Sequence, residues 1–186
     1  MKETDTDIEA LIAGCRRGDA PSQKALYDLY SPRLYALCCR LTGDREMAKD
    51  VCIEAFCKVF RHFDTYRGDG PLEAWIRRIF VRTAVAELKA AQRSQGLSLD
   101  EVQGIAAQSH PLETRLSVKE TLSHALARLD AEQRLVFNLV AIEGYTFDAT
   151  ASLCGMSVQS AKRRYYKARQ VMQQTFQEYG ITAIDE

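Results

Sequence analysis

Gly144-Tyr145-Thr146-Phe147-Asp148-Ala149-Thr150-Ala151-Ser152-Leu153-Cys154-Gly155-Met156-Ser157-Val158-Gln159-Ser160-Ala161-Lys162-Arg163-Arg164-Tyr165-Tyr166-Lys167-Ala168-Arg169 is the stretch that decides the fold. Thr146 is of a type that caps helix N-termini, and it is placed to open a short helix whose Phe147, Ala151 and Cys154 share a face. Gly155 permits a tight turn, and Ser157 is placed to cap a second helix. In that second helix Val158, Ala161, Tyr165, Ala168 and Met172 repeat at three, four, three and four, which makes one inward stripe. Gln159, Ser160, Lys162, Arg163, Tyr166 and Lys167 must then project outward. This is the pattern of a helix-turn-helix, whose second helix enters the major groove of DNA. Ser157, Gln159 and Ser160 offer amide and hydroxyl groups for base edges near the helix start. Lys162, Arg163, Arg164 and Lys167 suit phosphates or guanine, with Tyr166 on the same side. An ordinary helical hairpin with a solvated basic face is the competing reading. The Gly-Met-Ser turn, the inward Ala151 and the one-sided charge favour DNA.

Charge agrees locally and not globally. The chain of 186 residues is formally neutral, with 25 basic and 25 acidic side chains. From Ala131 to Gln170 six bases (Arg134, Lys162, Arg163, Arg164, Lys167, Arg169) face three acids (Glu132, Glu143, Asp148), and beyond Gln170 there are acids alone. A local basic cluster on a neutral chain predicts weak, salt-sensitive DNA binding by the isolated protein.

Working back from the motif, Asp130 with Gln133 three residues on resembles a capping box. It would open a helix with Leu135, Val136, Leu139 and Val140 inward, ended by Gly144. Val118, Leu122, Ala125 and Leu129 place another helix before it. Residues 94 to 113 break the periodicity with small and polar residues, two glycines and Pro111, and read as a flexible linker. Upstream of it the pattern is helical again. Residues near 22 to 42 carry Leu26, Leu29, Tyr30, Leu34, Leu37, Cys38 and Leu41 at helical spacing, and Pro32 is expected to kink or interrupt them. Asp44 caps a helix of about 45 to 62 whose broad apolar stripe predicts neighbours on more than one side. Residues 64 to 71 form a loop, and Pro71 opens a helix running to about Arg93. On that helix Leu72, Trp75, Ile76, Ile79, Phe80, Thr83 and Ala84 form one face. Arg78, Arg82, Lys89 and Arg93 share another, for which a solvated face is the plain reading. The chain is thus expected to be all-α: a four-helix domain (1–93), a flexible linker (94–113) and a small helix-turn-helix domain (114–178).

A composition 46% hydrophobic and 27% charged is that of a globular protein. No run approaches a membrane span, and the polar, acidic N-terminus lacks the apolar core of a secretory signal, so a cytoplasmic location without membrane insertion is expected. The cysteines at 15, 38, 39, 52, 57 and 154 include no Cys-x-x-Cys pair, and the three histidines are scattered. No metal or cofactor is therefore expected. Most of these cysteines fall among apolar helical residues, where a thiol behaves as a small hydrophobe. A disulfide framework does not suit a reducing compartment, while redox reactivity at one of them is the minority reading. No phosphate loop or nucleophile motif points to catalysis, so no enzyme and no catalytic residue is expected.

Gly18-Asp19, Ala25-Leu26-Tyr27-Asp28-Leu29-Tyr30, Ala48-Lys49-Asp50-Val51-Cys52-Ile53-Glu54-Ala55-Phe56-Cys57-Lys58-Val59-Phe60 and Trp75-Ile76-Arg77-Arg78-Ile79 resemble region 2 of the extracytoplasmic-function class of bacterial sigma factors. Leu129 to Arg169 resembles region 4 of the same class. The resemblance implies a protein that binds core RNA polymerase and directs promoter recognition. Asp50, Glu54 and Lys58 on the third helix would dock on the clamp of the largest subunit, and the flap of the second subunit would be a further contact. The loop of residues 64 to 70, with Tyr66, Arg67 and Asp69, would hold a base flipped from the melted minus-10 strand. Tyr66 or Trp75 would offer a stacking surface there, although Trp75 shares a face with Leu72 and Ile79 and reads first as core. Arg78, Arg82 and Lys89 would follow that strand's phosphates. The helix from Ser157 would read the minus-35 element. Strand opening would be driven by binding of extruded bases, with no nucleotide hydrolysis. The family is often held inactive by an anti-sigma factor.

The chain departs from the family pattern at Lys49, commonly acidic, at Ile53, commonly Gln, at Ala149-Thr150, commonly Glu-Ile, and at Arg82-Thr83, where the family has an Asn. A buried Thr150 costs packing unless its hydroxyl bonds back to a helix carbonyl. Two other readings remain open. One is a polymerase-independent helix-turn-helix regulator, which would usually require a dimer that no heptad here supplies. The other is a divergent sigma-like protein without promoter activity.

Overall fold

The computed structural model describes residues 3–94 and 118–181. Among them every regular element is helical. The chain divides into two compact units, one built from Met1–Cys39 with Asp44–Glu87 and the other from Arg40–Gly43 with Leu88–Glu186. The expected linker lies outside the described residues except for Ser94, which closes a helix.

The first unit contains α1 (Glu3–Arg16), α2 (Ala20–Thr42) as far as Cys39, α3 (Arg45–Arg61) and α4 (Leu72–Ser94) as far as Glu87, with a 3-10 turn at Phe63–Thr65. Asp19 starts α2: its carboxylate accepts from the Ser22 amide at 3.0 Å and the Ser22 hydroxyl at 2.5 Å. Contrary to the expectation of an interruption, α2 runs through Pro32 as one element. The reason is placement. Pro32 and Asp28, whose carbonyl loses its i+4 donor to the proline ring, are both exposed, so water can take the orphaned acceptor. Asp44 caps α3 as expected, accepting from the Met47 amide at 2.7 Å.

The breadth of the α3 stripe has a structural counterpart. Ala48, Val51, Ala55 and Val59 are fully buried, and the Phe56 ring meets Tyr27 of α2 at 4.7 Å and Phe80 of α4 edge-on at 5.0 Å. From α4, Leu72, Ile76, Phe80, Thr83 and Ala84 enter the core, joined by Val81 and Val85.

The second unit holds α5 (Val118–Ala127), α6 (Ala131–Phe137), α7 (Phe147–Cys154) and α8 (Val158–Glu178). Asp130 caps α6 by accepting from the Gln133 amide at 2.7 Å. The helix then widens into a π-helical segment, Asn138–Ile142, that periodicity did not indicate. Asn138 is fully buried there and its side-chain amide donates to the Arg134 carbonyl at 2.8 Å. The long α8 packs on α5, α6 and α7. Ala168 and Met172 meet Ala125, Leu126 and Leu129 in one core cluster, and Ala161 meets Val136 and Ala151 in another. Arg128 ties the end of α5 to that of α8, donating to Thr175 Oγ1 at 3.1 Å and Glu178 Oε2 at 2.5 Å.

Candidate nucleic-acid interface

The helix-turn-helix is assembled by the local chemistry its sequence announces. Thr146 Oγ1 accepts from the Ala149 amide at 3.2 Å and opens α7. Gly155 closes α7 with φ of 67°, a left-handed conformation in which its amide reaches the Ala151 and Ser152 carbonyls. Ser157 Oγ accepts from the Ser160 amide at 3.1 Å and opens α8. The stripe of Ala161, Ala168 and Met172 is buried, while Val158 and Tyr165 pack on the core from its edge.

That burial fixes what points outward. Ser157, Gln159, Lys162, Arg163, Tyr166, Lys167 and Arg169 are all exposed. Tyr166 is 54% exposed at one edge of a ring cluster with Phe147 and Tyr165, and Lys162 lies 5.8 Å from the centre of the Phe147 ring. Two of the expected contact residues are placed differently. Arg164 is largely covered, its guanidinium ion-paired to Glu132 of α6 and bonded to the Ser160 hydroxyl one turn back. Arg164 therefore staples α8 to α6, and Ser160, half-buried, is engaged by it within α8. The sequence signal for Arg164 was only its membership of a basic run, and its acidic partner stands 32 positions away.

The loop between α3 and α4 forms the second site. Thr65, Tyr66, Arg67, Asp69, Gly70, Pro71, Ala74, Trp75 and Arg78 line an open cavity of about 200 Å³. Gly68 turns the loop with φ of 82°. Tyr66 is buried, with its ring against Phe63 and Trp75, and its hydroxyl donates to the Gly70 carbonyl at 2.7 Å. It is therefore a wall of the cavity that braces the loop. Trp75 is half-buried: its ring packs on Phe63 at 5.6 Å and also lines the cavity, so the core and surface readings both describe part of it. Arg67, Asp69, Arg78 and Arg82 are exposed, and Lys89 is half-buried. Sequence reasoning missed Arg16, which donates from Nη2 to the Tyr66 carbonyl at 2.6 Å and anchors the loop to α1. Nothing local marks such a residue, because its partner lies 50 positions on.

On α3, Asp50 is exposed and Glu54 and Lys58 are half-buried; the last two pair at 3.3 Å, and Lys58 also reaches Thr83 Oγ1 at 3.5 Å. Ile53 lies among them, 66% exposed.

Known proteins match this arrangement. The model of sigma-70 region 2 matches residues 26–94, and that of sigma-70 region 4 matches residues 119–172. The extracytoplasmic-function RNA polymerase sigma factor SigL of Mycobacterium tuberculosis is 29% identical over 178 residues, spanning 93% of this chain and 99% of that protein. The chain belongs to the extracytoplasmic-function family of RNA polymerase sigma factors. The sigma-E factor of Escherichia coli is 26% identical over 185 residues, covering 92% of this chain and 95% of the relative. Among solved structures, the sigma factor RpoE of Bartonella quintana, determined in complex with the anti-sigma factor NepR, aligns with a TM-score of 0.52 at 23% identity, over 83% of this chain and 96% of that one. As a sigma factor, the protein directs the initiation of transcription, and its family is not a class of enzymes. No helix among the described residues is long and apolar enough to cross a membrane.

Proposed function

We propose that this sigma factor works in the cytoplasm through three separate surfaces, on a domain of residues 1–93 and a second domain of residues 114–178. The exposed face of α8, with Ser157, Gln159, Lys162, Arg163, Tyr166 and Lys167, enters the major groove of the minus-35 element. The polar groups near the helix start meet base edges and the cations meet phosphates. The cavity between α3 and α4 takes an unstacked base of the minus-10 strand. Its volume of about 200 Å³ is below the roughly 300 Å³ at which drug-sized sites begin, which suits one planar group. Arg67, Arg78 and Arg82 follow the phosphates beside it. Asp50, Glu54 and Lys58, with Ile53 among them, dock on the clamp of core polymerase, and the flap is a further contact. An anti-sigma factor is a further candidate partner. The chain supplies binding energy and no hydrolytic chemistry of its own.

The observation that carries the reading is the division of α8 into a buried stripe and an exposed basic face behind a correctly capped turn. Fluorescence anisotropy with the holoenzyme and promoter duplexes tests it. Arg163→Ala with Lys167→Ala is expected to weaken upstream-element binding and flatten its salt dependence by about two log units per log unit of salt, roughly 0.9 for each lost phosphate contact. Polymerase binding should be unchanged, and an equal loss of it would overturn the assignment of this face.

A further inference from the structure

The side chains at the start of α8 differ in what already engages them. Ser157 Oγ caps the helix by accepting from the Ser160 amide at 3.1 Å. Ser160 is half-buried, and its hydroxyl accepts from Arg164, which is itself ion-paired to the covered Glu132. Lys162 lies over the Phe147 ring, 5.8 Å from its centre. Gln159 is unlike all of these. It is the second residue of α8, it is exposed, and no other side chain among the described residues bonds its amide.

We infer that Gln159 is the specificity-determining residue of the α8 surface and that it selects adenine at one position of the upstream duplex. This role rests on α8 entering the major groove, as proposed above, and adds to it the residue that discriminates and the base it takes. Residues at the start of a recognition helix are the ones that reach base edges. A primary amide presents an N–H donor and a carbonyl acceptor side by side in one plane. Adenine presents the matching pair in the major groove, the N7 acceptor beside the N6 amino donor. Guanine offers two acceptors there, N7 and O6, and would set an oxygen against the Gln159 carbonyl. Thymine offers one acceptor and cytosine one donor, so each satisfies half of the amide. The unpaired half is what makes the wrong base costly, because it has been taken out of water.

The neighbours do not supply the same choice. A serine hydroxyl both donates and accepts, so Ser157 discriminates little between bases. Lys162 and Lys167 are point charges suited to phosphate. Arg163, exposed one turn beyond Gln159, pairs with guanine when it meets a base in a two-pronged way, so a preference for adenine separates the two residues. With Ser160 turned to Arg164, the upstream element should hold one sharply selected adenine beside more tolerant positions.

The test is competitive selection from a duplex promoter library, randomised over the upstream element and constant elsewhere, by holoenzyme carrying the wild-type, Gln159→Ala or Gln159→Glu protein. Sequencing of the bound fraction should show adenine enriched at one position by about 5- to 150-fold with the wild type, the range of a good two-pronged contact. Gln159→Ala should level that position and leave the others as they were. Gln159→Glu keeps the length of the side chain and carries only acceptors, so it should transfer the preference there to cytosine, whose N4 amino group donates. A changed base, rather than a weakened one, is an effect that neither misfolding nor a lost phosphate contact produces. A wild-type profile without such an adenine, a profile unmoved by either substitution, or losses spread evenly across the element would each overturn the role of Gln159. An upstream preference that Arg163→Ala with Lys167→Ala weakens, but that Gln159→Glu leaves in place, refutes the adenine reading alone. No upstream preference with any of the proteins refutes the placement of α8 as well.

Discussion

At the scale of single residues, Thr150 is an instructive departure. It is fully buried in α7, and its hydroxyl oxygen has no hydrogen-bond partner among the described residues. A buried, unpaired hydroxyl costs about 1–3 kcal/mol, whereas an isosteric apolar group costs nothing of that kind. Thr150→Val is therefore expected to stabilise the protein by about 1 kcal/mol, read as a higher thermal midpoint; a lower midpoint would mean that the hydroxyl is satisfied. Arg164 and Arg163 make a matched pair of opposite kind. Arg164→Met removes the ion-pair partner of the covered Glu132 carboxylate and should destabilise the protein by about 3 kcal/mol, while Arg163→Ala should stay within about 0.5 kcal/mol. Chemical denaturation of the two variants distinguishes them, and equal effects would contradict the staple. Sequence alone placed both arginines in one basic run. Helical spacing put Arg163 and not Arg164 among the outward residues, but the acidic partner that covers Arg164 stands 32 positions away and was not legible there.

Elements were read best where their signals are local. Asp44, Asp130, Thr146 and Ser157 cap the helices that follow them, and Gly155 takes the left-handed turn, because each of these contacts spans only a few residues. The π-helical segment after α6 was invisible, since the packing of buried Asn138 and Leu139 overrides a helical periodicity that continues through it. Pro32 does not interrupt α2, because the effect of a helical proline depends on which face it occupies. The loop between α3 and α4 belongs to the same class. Its residues were picked out by resemblance, but its shape depends on Arg16 and on the Tyr66 hydroxyl. Arg16→Gln and Tyr66→Phe, each deleting one brace, should weaken binding of a minus-10 single strand by the holoenzyme several-fold while leaving minus-35 duplex binding intact. Loss of both activities together would point to general unfolding. The cap of α2 carries a pH signature. Hydrogen bonds from the Ser22 side chain and backbone hold the Asp19 carboxyl below its usual range. A lowered folded value means that the cap's contribution is complete above about pH 4, the unfolded value, and is lost as pH falls through the lower folded one. An NMR titration should place the Asp19 midpoint below about 3.9, and Ser22→Ala should return it toward that figure.

At the scale of the whole molecule, the proposed surfaces for upstream DNA and for polymerase fall on separate units of the sigma factor, α8 in one and α3 in the other. The formally neutral charge is consistent with this division. The basic face of α8 is small, and the α3 face, with exposed Ile53 among Asp50 and the Glu54–Lys58 pair, is of mixed charge and part apolar, of a kind suited to protein rather than to nucleic acid. Binding of promoter duplex by the protein without polymerase should accordingly be weak and should fall steeply with salt. The most direct test of the central claim is a pull-down of core RNA polymerase with the full-length protein and with an Asp50→Arg/Glu54→Arg variant. The account predicts that the wild-type chain retains polymerase and the folded variant does not. Retention of neither, or of both equally, would contradict the placement of the polymerase contact on α3.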